Sequence, residues 1–278
     1  MPKVSVIIPV YKAKETITAC LDSVLAQTLD GMEVVLVDDH GGDGTIEAAR
    51  GYAAAHSGPV RFRFTETEAN SGPGIARNVG VAAATGDFVA FLDADDTLSP
   101  DFCRSLYEAA VAADADIAFG HISFDQPDGT SKVCHNPAVA DGPFEGKAKR
   151  DYLCRFKSYF TTYIYRRTFL TDNEIRFPDT HSAEDSCFLI CSLLCARRIA
   201  SAPEACYHYA LQPGSVSQRR DPARWRNRIA SFRQMEAFAR THNLFRPYRH
   251  VIRWMSFKKG WLLAGRDFFQ NNLFSIDL

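Results

Sequence analysis

The chain has 278 residues, 46% of them hydrophobic, and 32 Lys or Arg against 33 Asp or Glu give a formal net charge of −1. This composition is ample for a packed core and excludes a low-complexity chain. No uninterrupted apolar run approaches the roughly 18 residues needed to cross a bilayer, so the length allows one large domain or one domain with an appendage.

Only Lys3 precedes the apolar run Val4-Ser-Val-Ile-Ile-Pro-Val10, which reads as a strand and not as a signal peptide; a cytoplasmic setting is expected. Residues 16–27 place Ile17, Cys20, Leu21, Val24 and Leu25 at helical spacing. A second strand over 33–37 closes on Asp38-Asp39, Gly41–Gly44 turns the chain, and 45–56 reads as a helix. A strand over 60–65, a loop at Asn70–Gly74 and a helix over 75–84 follow. Then comes Phe88-Val-Ala-Phe-Leu-Asp-Ala-Asp-Asp96, a short apolar strand that ends in three carboxylates within four residues. Asp side chains at that density repel one another unless a cation sits between them, and hard oxygen ligands suit Mg²⁺ or Mn²⁺ with phosphates completing the shell. A solvated, helix-capping turn before Leu98-Ser-Pro100 is the competing reading. A helix over 101–113 and a strand over 116–124 complete a βαβ alternation that predicts a largely parallel sheet. In such sheets ligands bind at the carboxyl ends of strands, where Tyr11, Asp38-Asp39 and Asp93–Asp96 stand.

Residues 125–150 are rich in Gly, Pro and Asp and read as an irregular connection. A strand over 159–165, a short helix over 167–172, a loop with Pro178 and His181, a helix over 183–196 opening on Glu184-Asp185, and a partial strand over 199–209 follow. Gln212–Ser217 reads as a loop. From Pro222 onward the pattern is helical, with Trp225, Ile229, Phe232 and Met235 on one face and Pro247 expected to separate two helices. Residues 219–266 carry 13 of the basic side chains and all three Trp, against only Asp221 and Glu236; that asymmetry points to an anionic partner. The eight Cys show no disulfide or metal spacing, and Cys187, Cys191 and Cys195, one turn apart, read as buried small hydrophobes.

Val4–Tyr11, Val35-Leu-Val-Asp-Asp39, Ala76-Arg-Asn-Val-Gly80, Gly86–Asp96 and Ala183-Glu-Asp185 occur in this order. Together they resemble glycosyltransferase family 2, inverting enzymes of the GT-A fold, over about residues 3–217. The resemblance implies an α/β chain with a Rossmann-like mixed sheet flanked by helices. It implies a glycosyltransferase domain at 1–218, its nucleotide-binding half at about 1–125 and its acceptor-binding half at about 126–218, followed by a basic, aromatic helical extension at 219–278. By the same resemblance Pro9, Val10 and Tyr11 line the base pocket of a nucleotide-sugar, and Asp39 accepts a hydrogen bond from a uracil N–H. For Asp38 a turn-capping role stands equally open. Glu15 borders the pocket or starts a helix. Arg77 serves the nucleotide site, a surface salt bridge being the alternative. Asp93 and Ala94 meet the ribose or metal side of the donor, Asp95 binds Mn²⁺ or Mg²⁺, and Asp96 orients the donor sugar or holds the other two carboxylates. Asp185 is the general base, and Glu184 positions it or the acceptor; a helix N-terminal cap is the alternative for both. His208 approaches the metal or packs between two Tyr, and His181 touches acceptor or lies in a surface loop. Gly214–Ser217 closes over the donor, with Arg219 and Arg220 reaching the diphosphate.

The expected reaction moves one sugar from a UDP-sugar to a hydroxyl of a surface glycan or glycolipid. There is no Gln-x-x-Arg-Trp motif of the processive branch and no span for a polymer channel. An anionic membrane surface is the partner that residues 219–266 suit; packing of those helices on the catalytic domain is the alternative, and no nucleic-acid fold is recognisable. A nucleotidyltransferase or a non-catalytic binding module are the rival function classes. The first would carry a Gly-rich, basic triphosphate loop near its first strand, which Pro9–Glu15 does not resemble, and the second would keep the sheet and lose the carboxylates, all of which are present.

Overall fold

The computed structural model describes residues 1–139, 142–211 and 223–265. The chain opens with β1 (Val4–Val10), α1 (Ile17–Leu25), β2 (Met32–Asp38), α2 (Thr45–Ala55), β3 (Arg61–Glu66), α3 (Pro73–Ala83) and β4 (Phe88–Phe91). It continues through β5 (Thr97–Leu98), α4 (Phe102–Ala112), β6 (Ile117–Asp125), β7 (Ser131–Cys134), α5 (Gly146–Arg155), a 3₁₀ turn at Phe160–Thr162, β8 (Tyr163–Arg166), α6 (Arg167–Asp172), α7 (Glu184–Cys195) and β9 (Ile199–Ala210). Two helices follow, α8 (Arg224–Thr241) and α9 (Phe245–Met255), the second running into a π-helical stretch at Ser256–Trp261.

Among the described residues nine strands form one sheet in the order β3-β2-β1-β4-β8-β6-β9-β5, with β7 on β6. β3, β2, β1 and β4 are mutually parallel, β8 is antiparallel to both β4 and β6, and β9 is parallel to β6. The sheet is therefore mixed, as the family resemblance implies, and not the largely parallel one that the alternation alone suggests. The departure begins at β8, which inserts between β4 and β6 and breaks the run of crossovers.

Side-chain alternation divides the core. Val4, Val6, Ile8 and Val10 of β1 face α1 and α4, packing with Ile17, Leu21, Val24, Phe102 and Leu106. Ile7 faces the other layer with Val35, Val37 and Phe91, where α3, α5, α7, α8 and α9 contribute. Phe232, Met235, Ala239, Val251, Ile252 and Met255 belong to that second cluster. The described part of the C-terminal segment thus packs into the same core as the sheet. Arg226, Arg233, Arg253 and Lys258 remain on its outward faces.

The connection expected to be irregular at 125–150 contains β7 and the start of α5. Lys147, Lys149, Arg150 and Asp151 hide the helix from a hydrophobic pattern, since Tyr152 and Leu153 are its main apolar anchors. Its Lys149 is buried, and the Nζ donates to the carbonyls of Leu194 (2.7 Å) and Ala196 (2.6 Å), tying down the end of α7. The strand expected from 159 begins at Tyr163, because Phe160–Thr162 turn first. The break between α8 and α9 falls at 242–244, where Asn243 has φ +58°. Pro247 sits in the first turn of α9, where a missing N–H costs little.

Candidate active site

β1, β2 and β4 are in register, Val10 opposite Asp38 and Ile7 opposite Phe91. Their carboxyl ends therefore open on one edge of the sheet. Tyr11 leaves β1 exposed at that edge, with the Lys12 ammonium 5.2 Å from its ring centre; Pro9 and Val10 are buried beneath. A cleft of ≈ 300 Å³ is lined by Val10, Lys12, Asp38, His40 and the turn from Gly41 to Thr45. Its walls include none of Asp93, Asp95, Glu184 or Asp185. Glu15 is exposed just ahead of α1 and does not line it.

Asp39 is buried and fully engaged. Its Oδ1 accepts from Thr67 Oγ1 (2.9 Å) and Ser71 N (2.8 Å), and its Oδ2 from Gly72 N (2.9 Å). It shapes the loop that leads into α3. Asp38 Oδ1 accepts from His40 N (2.9 Å), which is the turn-capping use.

Arg77, on the first turns of α3, is only 5% exposed, so it is no surface salt bridge. Its Nη2 donates to Asp93 Oδ1 at 2.6 Å. The guanidinium lies 4.6 Å from the Phe160 ring centre and 5.4 Å from that of Phe177, a cation–π seat that a desolvated Arg uses well. Its Nε and Nη1 are buried without a partner among the described residues, and such donors are costly unless a further acceptor meets them. Burial works against its charge, whereas Asp93, Glu184 and Asp185 hold it. The strand-end carboxylates and the helix-start carboxylates thus face one buried cation.

The acids themselves are poised upward. Asp96 is buried, accepts from Tyr207 Oη (2.6 Å) and Ala210 N (2.9 Å), and is pushed up to about 8 by burial and then by Asp93. Asp95, on the surface of the loop after β4, is raised by partial desolvation and then by Asp93. Glu184 rises to about 7 through burial and the adjacent Asp185. Asp185 is raised by burial, against the hydrogen bond from Ser186 N (2.6 Å) and the pull of Arg77 and Arg228. Ala94 is buried inside the loop that carries Asp93 and Asp95.

The start of α7 abuts the start of α3: a Cβ on Gly74 would lie 3.2 Å from Glu184 Cγ, and one on Gly72 would lie 3.0 Å from His181 Nδ1. His181 is exposed beside that junction. Ala183 holds φ +62°, a left-handed conformation unusual outside glycine.

Three expected residues are not brought together as a ligand set. His208 Nδ1 pairs with Asp125 Oδ2 at 2.8 Å on the neighbouring strand. No group of three His, Cys, Asp or Glu among the described residues is arranged to hold a metal. The strand alternates, so it is Tyr207 that reaches the acidic loop, through Asp96 and the Asp93 backbone N–H (3.2 Å). Sequence reading overlooked Tyr207, although its position next to His208 on a strand puts the two on opposite faces. Thr67, Phe160 and Phe177 carried no signal at all, since each acts by contact across the fold. Asp93 and Asp95 keep the chemistry of a partial, hard-oxygen shell, two carboxylates that bound phosphates could complete. Gly214–Ser217, Arg219 and Arg220 lie outside the described residues.

The sequence profile of Glycosyl transferase family 2 matches residues 5–187. The chain is 34% identical to the succinoglycan biosynthesis protein ExoO of Rhizobium meliloti (strain 1021), over 78% of this chain and 63% of that one. It is 33% identical to the poly(ribitol-phosphate) beta-N-acetylglucosaminyltransferase TarS of Staphylococcus aureus (strain MW2), over 76% of this chain and 36% of TarS. The crystal structure of S. aureus TarS 1–349 in complex with UDP-GlcNAc superposes with a TM-score of 0.69 at 25% identity, covering 97% of this chain and 81% of that one. The mannosyltransferase PcManGT of Pyrobaculum calidifontis, in complex with GDP-Man and Mn²⁺, shares the fold at TM-score 0.62 and 20% identity, over all of this chain and 76% of that one.

Proposed function

The chain belongs to glycosyl transferase family 2 and has the GT-A fold, and on that premise we propose that it moves one sugar from a UDP-sugar to an acceptor hydroxyl with inversion, Asp185 acting as general base. One observation carries this: Arg77, buried between Phe160 and Phe177, is bonded to Asp93 and faces Glu184 and Asp185. Acids far apart in the chain thereby stand at one place, one group suited to the donor and the other to the acceptor.

The residue roles follow from chemistry. Pro9, Val10 and Tyr11 border the uracil pocket at the strand ends, and Asp39 holds the loop beside it. Asp93 and Asp95 would hold a divalent cation, Mn²⁺ or Mg²⁺, together with the diphosphate. When bound, that cation offsets the charge that grows on the leaving oxygen. Arg77 has two buried nitrogens, Nε and Nη1, still to satisfy and keeps Asp93 in place. Glu184 and Asp96, both raised, space the carboxylates. Asp185 takes the acceptor proton as the acceptor oxygen forms its bond to the anomeric carbon. The glycosyl–phosphate bond breaks with its electron pair on the diphosphate, and UDP departs from the opposite face. A general base of this kind contributes roughly 10²–10⁴-fold. The acceptor proposed is a hydroxyl of a surface glycan or glycolipid. The exposed Trp254, Phe257 and Trp261 with Arg253 and Lys258 suit contact with an anionic membrane surface. Among the described residues no helix is long and apolar enough to cross a membrane.

The test is release of UDP from a panel of UDP-sugars, with calorimetry on two variants. Asp95→Ala should weaken Mn²⁺-dependent donor binding by about tenfold or more, in keeping with the loss of one of few charged ligands. Asp185→Asn should bind donor normally and transfer ~10²–10⁴-fold more slowly. A reversed pattern would refute the division of roles.

A further inference from the structure

We propose that the C-terminal helices are a working part of the site, reaching Asp185 through two positioning residues, Ser231 of α8 and Lys259 of the π-helical stretch after α9. The proposal rests on the reading of Asp185 as the base, and it concerns residues outside the stretch that the family profile matches.

The segment Thr180–Ala183 delivers Glu184 and Asp185 to the start of α7, and its last residue holds the left-handed φ of +62°. Strain of this kind persists only where the surroundings over-determine it. Ser231 is what clamps it. Its side chain is wholly buried, its Oγ donates to the Ser182 carbonyl at 2.7 Å, and it shares a short hydrogen bond with Thr180 Oγ1. One hydroxyl from α8 thus pins both sides of the turn that launches the base.

Lys259 comes from further along. π-helical turns are rare and recur at functional sites, because they re-aim one side chain within a helix. Here the turn is seated closely on α8: a Cβ on Gly260 would lie 3.0 Å from the Phe232 ring. That seat turns Lys259 inward. Its Nζ donates to Ser158 Oγ and lies 4.0 Å from the centre of the Phe156 ring. The ammonium is desolvated to about 8, and the attraction that most opposes this is the one from Asp185. Lys157, Lys258 and the Cys187 thiol also act on Lys259, whereas Arg77 and Arg228 pull on Asp185 and Asp185 in turn raises Glu184. The cation from the C-terminal stretch therefore favours the ionised form of a carboxylate that burial pushes toward the neutral one. A base must be ionised to accept a proton, so this charge adds to the pull of Arg77 and Arg228 in lowering the pH at which Asp185 can work.

The experiment reads Asp185 directly. Carboxyl ¹³C NMR, assigned with Asp185→Asn, gives its titration midpoint in wild type, Lys259→Met, Lys259→Gln and Lys259→Arg. Hydrogen exchange of amides 182–187 is followed in Ser231→Ala and Ser231→Thr. The expected result is a midpoint raised by ~0.5–1 pH unit on loss of the Lys259 charge, as removal of an opposite charge requires, and retained in Lys259→Arg. Exchange at 182–187 should quicken in Ser231→Ala and not in Ser231→Thr. The acid limb of UDP release from UDP-GlcNAc should move up with the midpoint while KM for the donor stays within about twofold, since no donor contact is removed. An unmoved midpoint in both neutral variants, or unchanged exchange in Ser231→Ala, overturns the proposal. If Asp185→Asn still releases UDP at the wild-type rate, the base assignment fails instead, and the NMR result stands apart from it.

Discussion

At the amino ends of β1 and β2, Glu33 is buried, yet its carboxylate accepts from Ser5 Oγ (2.6 Å), Thr85 N (2.6 Å) and Thr85 Oγ1 (2.9 Å). Burial alone would raise it, but these bonds, with Arg63 at 4.0 Å, hold it below the usual carboxylate range. At the carboxyl ends of the same strands, and at the start of α7 beside them, the acids stand among one another with few donors. Asp96, Asp95, Glu184 and Asp185 are all pushed up. One edge of the sheet satisfies its acid and gains stability from it. The other leaves acids under-satisfied, which costs stability and leaves them ready for a cation or a proton.

The contrast breaks most visibly at Asp185. Asp185→Asn should lower the rate of UDP release by ~10²–10⁴ with little change in unfolding free energy, whereas Glu33→Gln should leave the rate unchanged. Glu33→Ala is the reverse case. It strands three donors at a buried site and should destabilise the chain by ~1–3 kcal/mol in urea unfolding, with donor binding intact. The two edges should also differ in pH dependence. Glu33 has a depressed folded pKa, so its contribution is present above the unfolded value of about 4.3 and is lost as pH falls through the folded one. Glu184 is raised to about 7, so the folded state holds the extra proton. Stability then declines as pH rises between about 4.3 and 7, by no more than ~1.4 kcal/mol per pH unit, and Glu184→Gln should flatten that slope. The smallest expected effect is at Tyr207. Tyr207→Phe removes the donor to Asp96 and the acceptor for Asp93 N–H. A loss of ~0.5–1.5 kcal/mol is expected, with a further rise in the Asp96 midpoint in a carboxyl NMR titration.

Much of the N-terminal part of the chain, through β4, was legible in the sequence. The β1 run, the helix at Ile17–Leu25 and the acidic end of the β4 segment are local signals, each set by the spacing of apolar residues and by where that spacing stops. Motif order likewise identified the family. The helix at Gly146–Arg155 was not legible, because its buried face is narrow and one of its buried residues is Lys149. The insertion of β8 between β4 and β6 left no trace in any local pattern.

By itself, then, the sequence determined which segments could be strands or helices, which family the chain belongs to, and which carboxylates were available for chemistry. Only the tertiary structure decided how each carboxylate is used. It turned Asp39 inward onto Ser71 and Gly72, paired His208 with Asp125, and set Arg77 between two acidic groups. It also made a basic C-terminal segment part of the core beside Asp185. The physical reason is that the state of a charged group depends on its desolvation and on its neighbours within a few ångströms, and those neighbours come from parts of the chain that no local spacing connects.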